Sequence, residues 1–152
     1  IMVGGPEDTF KNILPVLEAM GKKITYLGPN GAGLYTKMVN QAIVSTTLVA
    51  TAEGMGLLQK SGVDPEKAIA LLEGGAATSG MLTRYAAKML AGDFAPGFKL
   101  KLMGKDLRLA TEMMTALELD LPGLKLSREV FKKSEETGLG DLGTHGIFKH
   151  LV

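Results

Sequence analysis

The sequence predicts a mainly α-helical fold preceded by a short β-α-β unit, and three observations carry that reading. Apolar residues recur at three-to-four spacing through most of the chain after Leu34. Start and stop residues punctuate those runs at helical lengths, as in Asp64-Pro65-Glu66, Ser79-Gly80 and Gly92. Only Ile1 to Val3 and Lys23 to Leu27 read as short strands, and they flank one amphipathic segment.

Along the chain, Pro6-Glu7-Asp8 starts a helix whose apolar stripe is Phe10, Ile13, Leu14, Leu17 and Met20, and Gly21 stops it. The unit ends at Gly28 and resembles the last part of a sheet domain whose earlier strands are missing. Because the sequence opens directly on an apolar strand, the natural protein is expected to extend upstream. The expected domains are residues 1–29, the edge of that sheet domain, and 30–152, a helical domain.

From Leu34 to Gln59 or Lys60 one long helix is expected, apolar on most sides and therefore central, touching other helices or a second subunit. Ala50, Ala52, Gly54 and Gly56 would let a neighbour approach closely. Asp64 caps the next helix, which runs to Gly74-Gly75, and Ser79-Gly80 begins another lined by Met81, Leu82, Tyr85, Met89 and Leu90. After the loop Phe94-Ala95-Pro96-Gly97-Phe98, the residues Leu100, Met103, Leu107, Ala110, Met114 and Leu117 mark a long amphipathic helix. Pro122-Gly123 leads into a last helix ending near Glu136, and Gly138, Gly140, Gly143 and Gly146 read as an irregular tail.

Composition narrows the function. The 152 residues carry a net charge of +1 with no basic cluster, which argues against a nucleic-acid partner. There is no cysteine, so a disulfide frame, a thiolate zinc site and a cysteine nucleophile are all excluded, a pattern compatible with the cytoplasm. The apolar stretch Met38 to Leu58 is interrupted by Asn40, Gln41 and Glu53 and is rich in small residues, so it reads as a buried helix and not as a membrane span. His145 and His150 lack the spacing of a metal site and read as surface or packing residues.

The stretch with chemical content is Gly28-Pro29-Asn30-Gly31-Ala32-Gly33-Leu34-Tyr35-Thr36-Lys37-Met38-Val39-Asn40-Gln41. A glycine turn leaves a strand and enters the long helix, which carries Lys37, Asn40 and Gln41 at helical spacing on one face. An amine near a helix N-terminus, when partly buried, is pushed toward its neutral form, so Lys37 is suited to exchanging a proton near neutral pH. The alternative is a solvated lysine behind a turn. Thr36 stands where a Rossmann fingerprint needs its third glycine, and Lys37 follows Thr36 where a P-loop needs the reverse order, so neither nucleotide motif is met.

Taken together, Ile1-Met2-Val3-Gly4-Gly5, Tyr26 to Gly33, Lys37-Met38-Val39-Asn40-Gln41, Gly92-Asp93-Phe94-Ala95-Pro96-Gly97-Phe98 and Lys105-Asp106-Leu107 resemble the β-hydroxyacid dehydrogenase family over nearly the whole chain. That group contains 3-hydroxyisobutyrate dehydrogenase and tartronate semialdehyde reductase, with 6-phosphogluconate dehydrogenase as a more distant relative. The resemblance implies an all-helical C-terminal dehydrogenase domain behind a remnant of a Rossmann domain, with NAD or NADP as cofactor and a short hydroxy acid as substrate. It implies Lys37 as general acid/base, Asn40 and Gln41 holding substrate oxygens, and Gly31 and Gly33 giving close access. Phe98, Lys105 and Asp106 would then face the cofactor or the substrate end.

Each assignment has a plainer alternative: Phe98 as ordinary core, Lys105 and Asp106 as a solvated pair, Asp93 as a turn residue. Asn40 and Gln41 occupy the region where 6-phosphogluconate enzymes carry a histidine before asparagine, which argues against a phosphorylated sugar acid. In the family, the glycine-rich dinucleotide turn and the Ser-Gly-Gly substrate stretch lie upstream of the matched region. Alone, this chain is expected to show negligible turnover. A reading from another class treats the long apolar helix as a dimerisation or ligand-binding module without catalysis, and a homo-oligomer is expected on either account.

Overall fold

The computed structural model describes residues 1–152 as two compact units, Ile1–Asn40 and Gln41–Val152, with one helix running through both. In the first unit, β1 (Met2–Val3), α1 (Glu7–Met20) and β2 (Thr25–Tyr26) are followed by the opening turns of α2 (Ala32–Ser61). The strands pair in parallel, Met2 opposite Thr25 and Val3 opposite Tyr26, with α1 as the crossover. Tyr26 stacks on Phe10 at 5.1 Å between ring centroids and donates its hydroxyl hydrogen to the Gly5 carbonyl at 2.9 Å, tying α1 to the end of the sheet.

Each strand holds two ladder residues, fewer than the sequence pattern implies, and so small a sheet covers only part of the α1 stripe. Phe10, Leu14 and Leu17 are half-buried, whereas Ile13 and Met20 are exposed. Pro15 lies inside α1, where it removes the bond its N–H would make to the Lys11 carbonyl.

The start of α2 differs from the expectation in a way that matters for the site. Backbone bonds from Ala32 N to Pro29 O and from Tyr35 N to Gly31 O begin the helix two residues before Leu34. Lys37 therefore sits in the second turn, where the helix dipole acts more weakly than in the first. The entry is tight because two glycines interlock. A Cβ on Gly33 would lie 2.6 Å from the Met2 carbonyl oxygen, and one on Gly4 would lie 2.8 Å from Gly33 N. Gly33 thus serves helix-to-strand packing in this unit.

The second unit contains the rest of α2, then α3 (Pro65–Glu73), α4 (Gly80–Ala91), α5 (Leu100–Ala116), α6 (Pro122–Glu136), a 3-10 turn (Thr144–Ile147) and α7 (Phe148–Leu151). The caps are the expected ones: Asp64 accepts from Glu66 N and Lys67 N, Ser79 accepts from Leu82 N, and Gly92 ends α4 in the left-handed region at φ 71°. Along α5, Leu100, Met103, Leu107, Ala110 and Met114 are all buried, and Leu117 falls beyond the helix end and is exposed. Helices α5 and α6 pack against each other, and the Glu135 carboxylate of α6 lies over Gly104 of α5, in the place a Cβ would take.

From Gln41 onward α2 buries a single stripe, Gln41, Ser45, Leu48, Val49, Ala52 and Met55, and leaves Ile43, Ala50 and Leu57 exposed. The expectation of cover on most sides therefore holds on one face. The tail also departs from the irregular coil expected of its glycines: Thr144 to Phe148 are buried in the 3-10 turn and α7. No helix is long and apolar enough to cross a membrane.

The glycine interlock separates two substitutions that look alike in sequence. Gly33→Ala should destabilise the fold by about 1–3 kcal/mol through overpacking against β1. Gly54→Ala, whose Cβ would meet nothing within 4 Å, should stabilise α2 by about 0.5–1 kcal/mol. Urea denaturation of the two variants checks both signs.

Candidate functional site

Lys37 and Asn40 are half-buried on α2, and Gln41, one turn after Lys37, is fully buried. Gly31 is exposed with φ 94°, a conformation glycine adopts without strain, and its open surface faces the Tyr35 ring. Of the four residues expected at the substrate, Gly31 leaves the helix entrance accessible, Asn40 is half-buried further along, and Gly33 and Gln41 are buried.

Gln41 is placed differently from a substrate-facing residue. Its side-chain nitrogen donates to Asp106 Oδ2 at 2.7 Å and lies 3.5 Å from the Met103 sulfur, 65 and 62 positions away in sequence. The other carboxylate oxygen of Asp106 pairs with Lys105 Nζ at 2.7 Å. Asp106 is 5% exposed while the Lys105 side chain is 56% exposed, so the two are not a solvated pair. The carboxylate is inside, tied to α2, and the ammonium is outside. A hydrogen bond to a charged, buried acceptor is stronger than a neutral one and leaves a costly orphan if its donor is removed. The two signature stretches, Lys37 to Gln41 and Lys105 to Leu107, are joined by this bond.

The loop before α5 is built by its own polar groups. Asp93 Oδ1 accepts from Ala95 N at 3.1 Å and its carboxylate pairs with Lys88 at 3.4 Å. The Ala95 hydrogen bond and then Lys88 hold the Asp93 carboxyl below its ordinary range, which makes it a turn residue that stays ionised. Phe98 is half-buried at the end of this loop, with its carbonyl accepting from Thr144 N at 3.0 Å.

Two features escaped the sequence pattern. Gly138, Gly140 and Gly143 have dinucleotide-fingerprint spacing, but they follow helix α6 and not a strand, so the phosphate-binding context is absent. His145 is buried, stacked on Tyr85 at 4.5 Å between centroids with Phe94 tilted beside it at 5.5 Å. Its burial could be anticipated only by knowing that Tyr85 and Phe94 converge there. A cleft of about 460 Å³ lies between the end of α4 and the tail, lined in part by Lys60, Met89, Phe94, Phe148 and Lys149. It contains none of the residues expected at the site and no acid to work with its lysines.

The buried bond makes a quantitative expectation. Gln41→Leu should cost about 1–3 kcal/mol by leaving the Asp106 carboxylate short of a donor. Gln41→Leu with Asp106→Leu should cost less than the sum of the single changes, a coupling that a double-mutant cycle in urea measures directly.

With the geometry in place, the comparisons identify the lineage. A model described as the NAD-binding domain of NADP-dependent 3-hydroxyisobutyrate dehydrogenase matches residues 31–151. An uncharacterized oxidoreductase of Bacillus subtilis is 38% identical over 152 residues, covering 100% of this chain and 53% of its own length. The 2-hydroxy-3-oxopropionate reductase of Escherichia coli is 39% identical over 151 residues, covering 99% of this chain and 52% of its own. Among solved structures, Mycobacterium tuberculosis 3-hydroxyisobutyrate dehydrogenase with L-serine superposes with a TM-score of 0.91 at 28% identity, covering 99% of this chain and 54% of that one. The chain spans about half the length of the curated relatives it matches. Helices in this order, carrying both signature stretches, place the chain in the 3-hydroxyisobutyrate dehydrogenase family of oxidoreductases.

Proposed function

We propose that this chain is the helical, catalytic part of an NAD(P)-dependent oxidoreductase that interconverts a short 3-hydroxy acid and its semialdehyde or 3-oxo acid. On this reading residues 1–29 are the edge of a dinucleotide-binding domain and 30–152 the helical domain. The observation that supports it is the Gln41–Asp106 bond, which ties the last residue of the first signature stretch to the second.

Lys37 is the general acid/base. In reduction its ammonium gives a proton to the carbonyl oxygen as the carbonyl carbon receives hydride, leaving an alcohol and a neutral amine; in oxidation the amine takes the hydroxyl proton. A bound nicotinamide supplies or accepts the hydride. Asn40, one turn along, offers amide groups to the substrate's oxygens. Gln41 acts behind them as a positioning residue, and Gly31 leaves room at the helix entrance. Lys105 presents an exposed ammonium suited to a phosphate or carboxylate, with its neighbour Asp106 setting the turn that aims it. Phe98 supplies an apolar wall.

The assembly reading has one observation in its favour, the exposed Ile43 and Leu57 on the outer face of α2. A homo-oligomer built on that face is compatible with catalysis where the contact centres on Leu57, about five and a half turns along α2 from Lys37. The enzyme is proposed to work in the cytoplasm.

In the gene product from which this chain comes, Lys37→Ala should lower kcat for 3-hydroxy acid oxidation by about 10²–10⁴-fold with the circular-dichroism spectrum unchanged. A variant that keeps its rate would exclude Lys37 as the acid/base, and a module used only for assembly would show no chemical phenotype. The 152-residue chain alone should show no measurable oxidation of a 3-hydroxy acid, and intact-mass measurement of the gene product should find a polypeptide longer by roughly one domain of 100–150 residues.

A further inference from the structure

His145 is the one buried imidazole in the protein and takes no part in the proposed chemistry. It closes a strap. Residues 140–145 run antiparallel to the stretch from Phe94 to Lys101: Gly143 N donates to Phe94 O at 2.9 Å, Thr144 N to Phe98 O at 3.0 Å, Leu100 N to Leu142 O at 2.9 Å and Lys101 N to Gly140 O at 3.0 Å. At the end of this ladder His145 Nε2 meets the Asp93 carbonyl at 2.7 Å. The loop that delivers Phe98 and starts α5 is therefore gripped at both ends, at Asp93 by His145 and at Phe98 by Thr144.

The protonation state of His145 follows from its partners. A carbonyl can only accept, so Nε2 carries the hydrogen and Nδ1 is the bare nitrogen. Nδ1 is buried and has no hydrogen-bond partner. Gly143 lies against it without a side chain, since a Cβ there would lie 2.8 Å from Nδ1. A second proton would thus sit on a buried nitrogen without an acceptor. We propose that neutral His145 is the keystone of the strap, and that protonating its imidazole releases the Asp93–Phe98 loop from the tail.

The surrounding charges leave the imidazole as the group that responds. On α4, Tyr85 stacks against the ring and Lys88 opposes a second positive charge; in the loop, the bond to the Asp93 carbonyl favours one, as does the Asp93 carboxylate, which is paired with Lys88, and burial outweighs both. On α7, Lys149 lies 5.8 Å over the outer Phe94 ring. Helices α5 and α6 also pack on the 3-10 turn, and no charge of theirs acts on the imidazole. Burial is the largest influence, and it pushes the imidazole below its ordinary value of about 6.5. Facing aromatic rings would offer a cation some attraction, but not an acceptor for the Nδ1 proton.

The strap's other ionic tie does not titrate in the same window. Asp141 bridges Lys99 and Lys101, each at 2.8 Å, and these lysines hold its carboxyl down to about 2. For a base whose folded-state value is depressed, the contribution to stability is complete above the unfolded value and is lost as pH falls from there through the folded value. The latch is therefore whole above about pH 6.5 and loosens as the solution is acidified below it. This holds whatever substrate the enzyme takes.

Amide hydrogen exchange of the full gene product that contains this chain, between pH 8 and pH 5, tests the latch. Protection factors of Gly143, Thr144 and Leu100 should fall by up to about tenfold per pH unit below 6.5, while those of Leu48 and Val49 in α2 hold steady. In His145→Gln, which keeps a neutral donor, the fall should vanish. Flat protection in the wild-type chain, or an equal fall in His145→Gln, would overturn the proposal. Should that variant not fold, nitrogen-detected NMR of the two histidines decides: His145 must show the Nε2–H form and titrate below His150, and a value at or above that of His150 overturns it.

Discussion

The second unit depends on one buried contact between a charged and a polar side chain, the bond from Gln41 to Asp106. Apolar contacts between α2 and its neighbours are non-directional and would tolerate some sliding of one helix along another. A buried carboxylate tolerates it poorly, because an axial shift of one residue would take the Gln41 donor away from the charge. The bond thus sets the register of α2 against α5. Lys105 benefits, since the carboxylate that Gln41 fixes in the interior also anchors the inner side of an ammonium that is otherwise in solvent.

The strap formed by residues 140–145 does for the loop before α5 what Gln41 does for the helix itself. A loop rich in glycine and proline has many accessible conformations, and ordering it carries an entropic cost for every residue fixed. Here the backbone ladder and the His145 bond to Asp93 meet that cost from outside the loop. Asp93 contributes from inside, through its own short-range bond to Ala95. Loop and helix start are consequently one construction, and Phe98 lies at their junction.

Most helices were legible because their signals are local. Asp64-Pro65 and Ser79 cap as their side chains dictate, Gly92 stops α4 through its left-handed backbone, and the α5 stripe from Leu100 to Met114 is buried at the expected spacing. What could not be read depends on distant partners. The exposure of Ile13 and Met20 follows from the small size of the sheet beside α1, which periodicity does not encode. The tail looked irregular because its glycines break local patterns, yet those glycines are what let a backbone ladder and a buried imidazole fit there. Spacing on one helix singles out Lys37, Asn40 and Gln41, but that Gln41 turns to Asp106 is information held 65 positions away.

The same helix gives the proposed acid/base its precision. Gly33, Lys37 and Gln41 follow one another at four-residue steps, so they lie along one stripe of α2. At the first step the missing side chain of Gly33 lets the backbone rest on β1; at the last, Gln41 is held by Asp106. Lys37 lies on this stripe, one turn after Gly33. A proton donor contributes to rate only when its nitrogen is held within hydrogen-bond reach of the reacting oxygen, and a displacement near 1 Å can cost about 10²-fold. A flexible lysine side chain cannot supply that precision by itself, and a loop would add its own motion. A lysine carried on a continuous helix has only its own side-chain rotamers left to restrict, and Lys37 on α2 is half-buried.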